Sequence, residues 1–246
     1  MKIYRQIQDR IAEGKVHMTL IDPAAQAPEK AGDIASEADR AGTDFFMVGG
    51  STDIDRERIT NCVAEIKKSS RKPVIIFPGS SSMICSNADA IYFMSLLNSR
   101  STEFVIGHQV MAAIPLSKLK LEKIPMGYIV VEPGMTVGRV GMADLVMKDQ
   151  PERAVSYALA AEMFGMSLVY LEAGSGSPDH VPDQIIQEVK RNISIPLIVG
   201  GGIRTPEAAR EVSSAGADIV VTGTVAEKAR DVYTVLEPII SAIKHR

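Results

Sequence analysis

Short apolar runs alternate with longer amphipathic stretches from one end of the chain to the other. The runs fall near residues 16–21 (VHMTLI), 44–48 (DFFMV), 73–77 (PVIIF), 89–95 (DAIYFMS), 125–132 (PMGYIVVE), 168–173 (LVYLEA), 196–200 (PLIVG) and 218–222 (DIVVT). Their β-branched and aromatic content and their length predict strands buried on both faces. Between them, apolar residues recur at helical spacing near 28–41, 55–69, 102–113, 151–165, 182–191, 205–215 and 226–244. Eight strands joined by helical crossovers predict an α/β protein with a closed parallel (β/α)8 barrel, the TIM barrel, rather than an open doubly wound sheet. The third crossover breaks the rhythm. Residues 78–88 are few and rich in serine, so the third helix is expected to be missing or degraded, leaving one side of the barrel less covered.

At 246 residues the whole chain, 1–246, fits one such barrel domain, with no linker or clear repeat. The N-terminal segment MKIYRQIQDRIAEGK reads as a charged amphipathic helix and not as a signal peptide. No run reaches the roughly 18 apolar residues of a membrane span, so no stable membrane insertion is expected. A net charge of −3, without a basic block or an aromatic-basic stripe, argues against nucleic acid as a partner. Cys62 and Cys85 have neither metal-site nor CxxC spacing and read as reduced thiols of a cytoplasmic protein.

The chemistry is expected where strands end, because the C-terminal mouth of such a barrel carries the site. Two glycine-rich breaks follow strands 7 and 8: Gly200-Gly201-Gly202-Ile203-Arg204 and Thr222-Gly223-Thr224. Glycines that lead from a strand towards a helix expose backbone N–H groups with no Cβ in the way, which suits a phosphate. Strand 6 ends in Tyr170-Leu171-Glu172-Ala173-Gly174-Ser175-Gly176. Glu172 reads as a general base beside the phosphate cradle, or as a structural ion-pair partner. Tyr170, two residues earlier, shares its strand face. Strand 1 ends at Asp22 and strand 2 at Gly49-Gly50-Ser51. A single carboxylate and a hydroxyl would suit magnesium, which keeps waters and takes substrate oxygens, although Asp22-Pro23 also fits a turn. Glu132, before Pro133-Gly134, fits structural and functional roles equally, as does Arg204. The four histidines have no metal pairing and no nucleophile partner, and are expected to be non-catalytic.

Taken in order, Leu20-Ile-Asp-Pro23, Val48-Gly-Gly-Ser51, Phe93-Met-Ser-Leu-Leu-Asn-Ser99, the 170–176 loop, Val199-Gly-Gly-Gly-Ile-Arg204 and Thr222-Gly-Thr224 resemble the geranylgeranylglyceryl phosphate synthase family. The resemblance spans nearly the whole chain and touches most strand ends. It implies a prenyltransferase of archaeal ether-lipid synthesis that joins sn-glycerol 1-phosphate to geranylgeranyl diphosphate, with magnesium, and releases diphosphate. Carried over by motif, it puts magnesium at Asp22 and Ser51. It puts glycerol phosphate at Tyr170, Leu171, Glu172, Ala173, Gly174, Ser175 and Gly176, with Gly201, Gly202, Gly223 and Thr224, and makes Glu172 the base for the glycerol hydroxyl. It also implies a homo-oligomer. A smaller subgroup of the family has a lysine two residues before the strand 1 aspartate; Leu20 stands there in this chain, which is similar to the larger subgroup. A long hydrocarbon needs an apolar channel, for which Tyr92, Phe93 and Met94 and the helix-free third crossover are the expected wall. Other readings of the same cradle are a flavin mononucleotide oxidoreductase, a sugar-phosphate isomerase or a non-catalytic phosphate-metabolite binder.

Overall fold

The computed structural model describes residues 2–50 and 55–244. Its eight strands are β1 (Val16–Ile21), β2 (Phe45–Gly49), β3 (Val74–Phe77), β4 (Ala90–Leu96), β5 (Glu122–Val130), β6 (Leu168–Glu172), β7 (Leu197–Gly200) and β8 (Ile219–Thr222). They are parallel, lie in chain order, and close where β8 pairs with β1. Alternation along each strand splits the apolar residues into layers. Met18, Met47, Ile75, Tyr92, Tyr128 and Tyr170 fill the barrel, while Val48, Ile76, Leu171 and Val199 face the helices. The barrel expected from the block pattern is the one observed.

Around it stand α1 (Lys2–Glu13), α2 (Pro28–Arg40), α3 (Arg56–Ser69), α4 (His108–Ser117), α5 (Met135–Val140), α6 (Pro151–Met163), α7 (Asp183–Asn192), α8 (Pro206–Ala215), α9 (Thr224–Lys228) and α10 (Val232–Lys244). Their starts follow local rules. Asp55 caps α3 by accepting from the Arg58 N–H, and Thr205 caps α8 ahead of Pro206, whose missing N–H costs nothing in a first turn. α1 closes the bottom of the barrel, inserting Ile3 and Ile7 into the interior layer. The Glu122 carboxylate accepts the Ile3 and Tyr4 N–H groups and so caps that helix from the start of β5.

Four local features differ from the sequence pattern. β5 begins at Glu122, because its polar first residues pair with β4 and serve α1; it ends at Val130, so Glu132 lies beyond it. The helix expected over 102–113 is a π-helical turn, Glu103–Gly107, running on into α4. The expected helix 226–244 is broken into α9 and α10, with the Glu37 carboxylate accepting the N–H groups of Val232 and Tyr233 at the restart. α5, a short helix at the mouth between β5 and α6, was hidden in a stretch without clear periodicity. The third crossover holds no helix, as expected, and its Met83, Ile84 and Cys85 pack directly on the outer layer. Among the described residues no helix is long and apolar enough to cross a membrane.

Candidate active site

The C-terminal mouth gathers the loops after β1, β6, β7 and β8 into two adjoining cavities. The smaller, about 50 Å³, is bordered by Glu172, Ser175 and Gly176 from β6, Gly201, Gly202 and Arg204 after β7, and Gly223 and Thr224 after β8. Gly201 and Gly202 have φ of +84° and +74°, a region that favours glycine. A Cβ at Gly202 would come within 2.1 Å of the Asp179 carbonyl oxygen, and one at Gly201 within 2.4 Å of Glu172 Oε1. Glycine is thus required by two close approaches as well as by dihedral angle. Across the cradle, the hydroxyls of Ser175 and Thr224 are 2.8 Å apart and tie the β6 loop to the start of α9. Below it, the Thr222 hydroxyl pairs at 2.9 Å with Nε2 of His17, whose Nδ1 pairs with Thr43 at 3.0 Å. Burial holds the His17 pKa down at about 3, so this ring is a neutral strut of the strand end.

The larger cavity, about 200 Å³, shares Leu20, Glu172, Ser175, Gly223 and Thr224 with the cradle. Its far wall carries Asp22, Gly50, Phe77, Tyr128 and Glu227. Glu172 therefore faces both spaces. It is only 6% exposed, and its Oε1 accepts the Gly174 N–H at 2.6 Å. Burial pushes its pKa up; the Gly174 amide and the phenols of Tyr170 and Tyr128 oppose that rise by favouring the charged form. A desolvated carboxylate held this way is poised to take a proton. Tyr128 and Tyr170 meet with their rings tilted, 5.1 Å between centres, and both touch Phe77, which makes an aromatic cluster beside the carboxylate.

Asp22 stands on the opposite rim. Its Oδ1 accepts the Ala24 N–H at 2.8 Å, and its own N–H donates to Glu227 Oε1 at 2.8 Å. A Cβ at Gly50 would press to 2.3 Å from Asp22 Oδ2, so the glycine makes room for that oxygen. Burial raises the pKa of both Asp22 and Glu227, with Arg58 and the backbone donors acting the other way at Asp22. Among the described residues, three carboxylates and no lysine or arginine border this cavity.

Most of the expected residues converge here: Asp22, Glu172, Ser175, Gly176, Gly201, Gly202, Gly223 and Thr224, with Tyr170 at the base of the cradle. Leu171 and Ala173 turn outward into the layer beneath the helices, and Gly174 reaches the site through its N–H. Ser51 lies outside the described residues. Arg204 donates to the Pro178 carbonyl at the cradle rim, and Glu132 accepts the Lys148 N–H away from both cavities. Reading the sequence missed Glu227, Phe77 and Tyr128. The last two sit on inward positions of strands already identified, which alternation could have shown; Glu227 was concealed inside one long expected helix.

A chain of apolar spaces leaves the mouth sideways. A cavity of about 60 Å³ shares Gly50, Phe77, Tyr128 and Val137 with the mouth and adds Met94, Leu96 and Phe104. It meets a second space of about 60 Å³ at Pro78, Gly79 and Met94, lined further by Tyr92, Phe93 and residues of α4. The helix-free crossover leaves this side open. Tyr92 fills the barrel with its ring, its hydroxyl 3.4 Å from the Met18 sulfur, whereas Phe93 packs on the outer layer.

A closed parallel barrel, a glycine cradle after β7 and β8, and a buried carboxylate facing it define a barrel enzyme of phosphorylated substrates. The chain belongs to the PcrB family, whose model matches residues 9–243. It is 58% identical over 244 residues to geranylgeranylglyceryl phosphate synthase of Thermoplasma acidophilum, covering 99% of this chain and 96% of that one. The crystal structure of (S)-3-O-geranylgeranylglyceryl phosphate synthase from T. acidophilum with its substrate sn-glycerol-1-phosphate superposes with a TM-score of 0.97 at 57% identity, over the full length of both chains. The wild-type enzyme of Thermoplasma volcanium also matches with a TM-score of 0.97, at 55% identity, over 100% of this chain and 99% of that one.

Proposed function

We propose that this chain transfers a geranylgeranyl group from its diphosphate to the free hydroxyl of sn-glycerol 1-phosphate, as the first ether bond of an isoprenoid lipid. The reading is carried by one observation: Glu172 borders both the glycine cradle and the cavity that holds Asp22. Glycerol phosphate sits with its phosphate against Gly176, Gly201, Gly202, Gly223 and Thr224 and presents its hydroxyl to Glu172. Glu172 takes the hydroxyl proton; the oxygen bonds to the allylic carbon; the carbon–diphosphate bond breaks and the diphosphate leaves with its electron pair. Positive charge grows on that carbon, beside the Tyr128, Tyr170 and Phe77 rings that border the site. Holding the hydroxyl in line is most of the remaining task.

A cavity bordered by three carboxylates is a poor host for a diphosphate, and a divalent cation corrects this. Asp22, with Ser51, is the pair that would hold magnesium; few protein ligands suit that ion, which keeps its waters. When bound, it neutralises the departing diphosphate as a Lewis acid. The tail follows the apolar spaces past Tyr128 towards Tyr92, Phe93 and Met94, at about 0.8 kcal/mol per buried CH2. The whole chain acts as one barrel domain and works as a homo-oligomer. Its two buried thiols, Cys62 pushed up by burial to about 12, support a cytoplasmic setting. Incubating the protein with magnesium, glycerol phosphate and labelled geranylgeranyl diphosphate tests the reading. Label bound to glycerol phosphate through an ether is the expected result, and its absence refutes the assignment.

A further inference from the structure

The β1–β8 ladder stops short of the mouth. Its last pair is Thr19 with Thr222, while β1 runs on beside β2 to Ile21. β8 turns away at Gly223 into α9, whose first residue, Thr224, belongs to the phosphate cradle. The backbone N–H of Asp22, one residue beyond β1, is thus left on that side without a strand to meet. An unpaired N–H in this half-buried position is costly. Glu227, one turn into α9, takes the place of the strand: its Oε1 accepts the Asp22 N–H at 2.8 Å.

The other hydrogen bonds of Asp22 are local. Oδ1 accepts the Ala24 N–H at 2.8 Å, and the carbonyl accepts the Ala25 N–H at 3.0 Å and the Gln26 side-chain amide at 2.8 Å. These fold the loop on itself. On its outer side Arg58 of α3 donates to the Pro23 carbonyl at 2.6 Å. Among the described residues, the Glu227 bond is the one hydrogen bond from Asp22 to the element that carries Thr224. That element is itself well held. The Gly223 carbonyl accepts the N–H groups of Ala226 and Glu227 at 2.9 and 3.2 Å, and the Thr224 hydroxyl pairs with Ser175 at 2.8 Å. One short helix therefore touches the cradle at its start and grips the Asp22 strand end one turn later. Asp22, Thr224 and Glu227 all border the larger cavity.

We propose that Glu227 is a positioning residue: it fixes the Asp22 carboxylate, and the magnesium-bound diphosphate that carboxylate would hold, at a set distance from the glycerol phosphate in the cradle. The inference rests on the prenyl-transfer reading above and deepens it. In-line displacement needs the hydroxyl oxygen and the allylic carbon roughly 3–3.5 Å apart, with the leaving group opposite. The strand end that hosts the leaving group is the part that the β1–β8 ladder no longer holds. Glu227 acts here as a hydrogen-bond acceptor and not as a charge, because the group it holds is a backbone N–H.

Calorimetry tests this without turnover, using two probes: inorganic diphosphate with magnesium, and sn-glycerol 1-phosphate. Glu227→Ala removes the acceptor. It is expected to weaken binding of magnesium diphosphate at least about tenfold and that of glycerol phosphate no more than about threefold, since the glycines and the Ser175–Thr224 pair hold the cradle without it. Glu227→Gln keeps an acceptor oxygen and is expected to recover diphosphate binding to within about threefold of the parent. The kcat/KM for the prenyl diphosphate should fall in the same order, from parent to Gln to Ala. Three results overturn the role. One is an Ala variant that binds magnesium diphosphate as the parent does. Another is an equal loss of both ligands, which would mean that α9 as a whole had come loose. The third is a Gln variant as weak as the Ala variant, which would make the charge the working feature. A parent that binds no magnesium diphosphate would refute the prenyl-transfer reading, and the positioning role with it.

Discussion

At the scale of single residues, burial sorts the ionisable groups into different tasks. Glu172, the last residue of β6, and His17, the second of β1, are both buried, yet only the carboxylate borders a cavity at the mouth. His17, on the helix-facing side of β1, spends both ring nitrogens on threonine hydroxyls, which is why it is not a catalyst here. Its depressed pKa has a consequence for stability. The fold prefers the neutral ring, with a pKa of about 3, while the unfolded chain binds the proton near 6.5. The stabilisation is thus complete above about pH 6.5 and is lost as pH falls towards 3. Glu172, Asp22 and Glu227, whose pKa values are raised, act in the opposite sense, so a difference between proteins is the clean measure. Urea unfolding from pH 7 to 4 should show the parent losing stability more steeply than His17→Asn. Parallel curves would remove His17 from the account.

At the scale of elements, the site is a set of strand ends held at close quarters by loops that tolerate no side chain. The sequence made the cradle legible because glycines directly after β-branched runs have few other uses, and it made Glu172 and Asp22 legible because they fall at strand ends. It did not reveal Glu227, since an amphipathic pattern over 226–244 carries no mark of a break that a distant Glu37 carboxylate imposes. Nor did it reveal the true start of β5, where Glu122 and Lys123 look like loop residues until α1 is seen to need a cap. The third crossover was readable from its serines and brevity, and its bareness is what leaves the apolar side passage open. One substitution tests the tightness of the cradle. Gly202→Ala puts a methyl against the Asp179 backbone at a φ of +74°. The expected result is a KM for glycerol phosphate raised at least about tenfold, roughly 1.4 kcal/mol, with a smaller change in KM for the prenyl diphosphate. Equal KM values in parent and variant would show that the phosphate binds elsewhere.

At the scale of the whole molecule, the barrel presents one side that is unusually apolar. Ile106, Val110, Met111 and Ile114 are all more than half exposed, on the outer face of the π-helical turn and α4, whose other side lines the apolar side passage. No charged residue occurs from Phe104 to Ser117. If the chain forms the homo-oligomer proposed above, a second copy is expected to cover this face. Ile114→Asp should lower the mass seen by light scattering at micromolar concentration while leaving far-UV circular dichroism unchanged; an unaltered mass would place the interface on another face. At this scale the alternative uses of a phosphate-binding barrel also lose their footing. The family match, the full-length likeness to geranylgeranylglyceryl phosphate synthases and the apolar side passage agree on a hydrocarbon substrate, which flavin or sugar-phosphate chemistry would not require.

The claim on which these scales converge is that one buried carboxylate takes the proton from a hydroxyl held by the glycine cradle. Glu172→Gln keeps the size and the acceptor for the Gly174 N–H but cannot act as a base at neutral pH. Turnover and the Kd for glycerol phosphate should be measured on the same sample. The account predicts turnover lowered by roughly 10²–10⁴-fold, the usual range for removing a general base, with Kd changed by no more than a few-fold. Turnover within threefold of the parent's would contradict it.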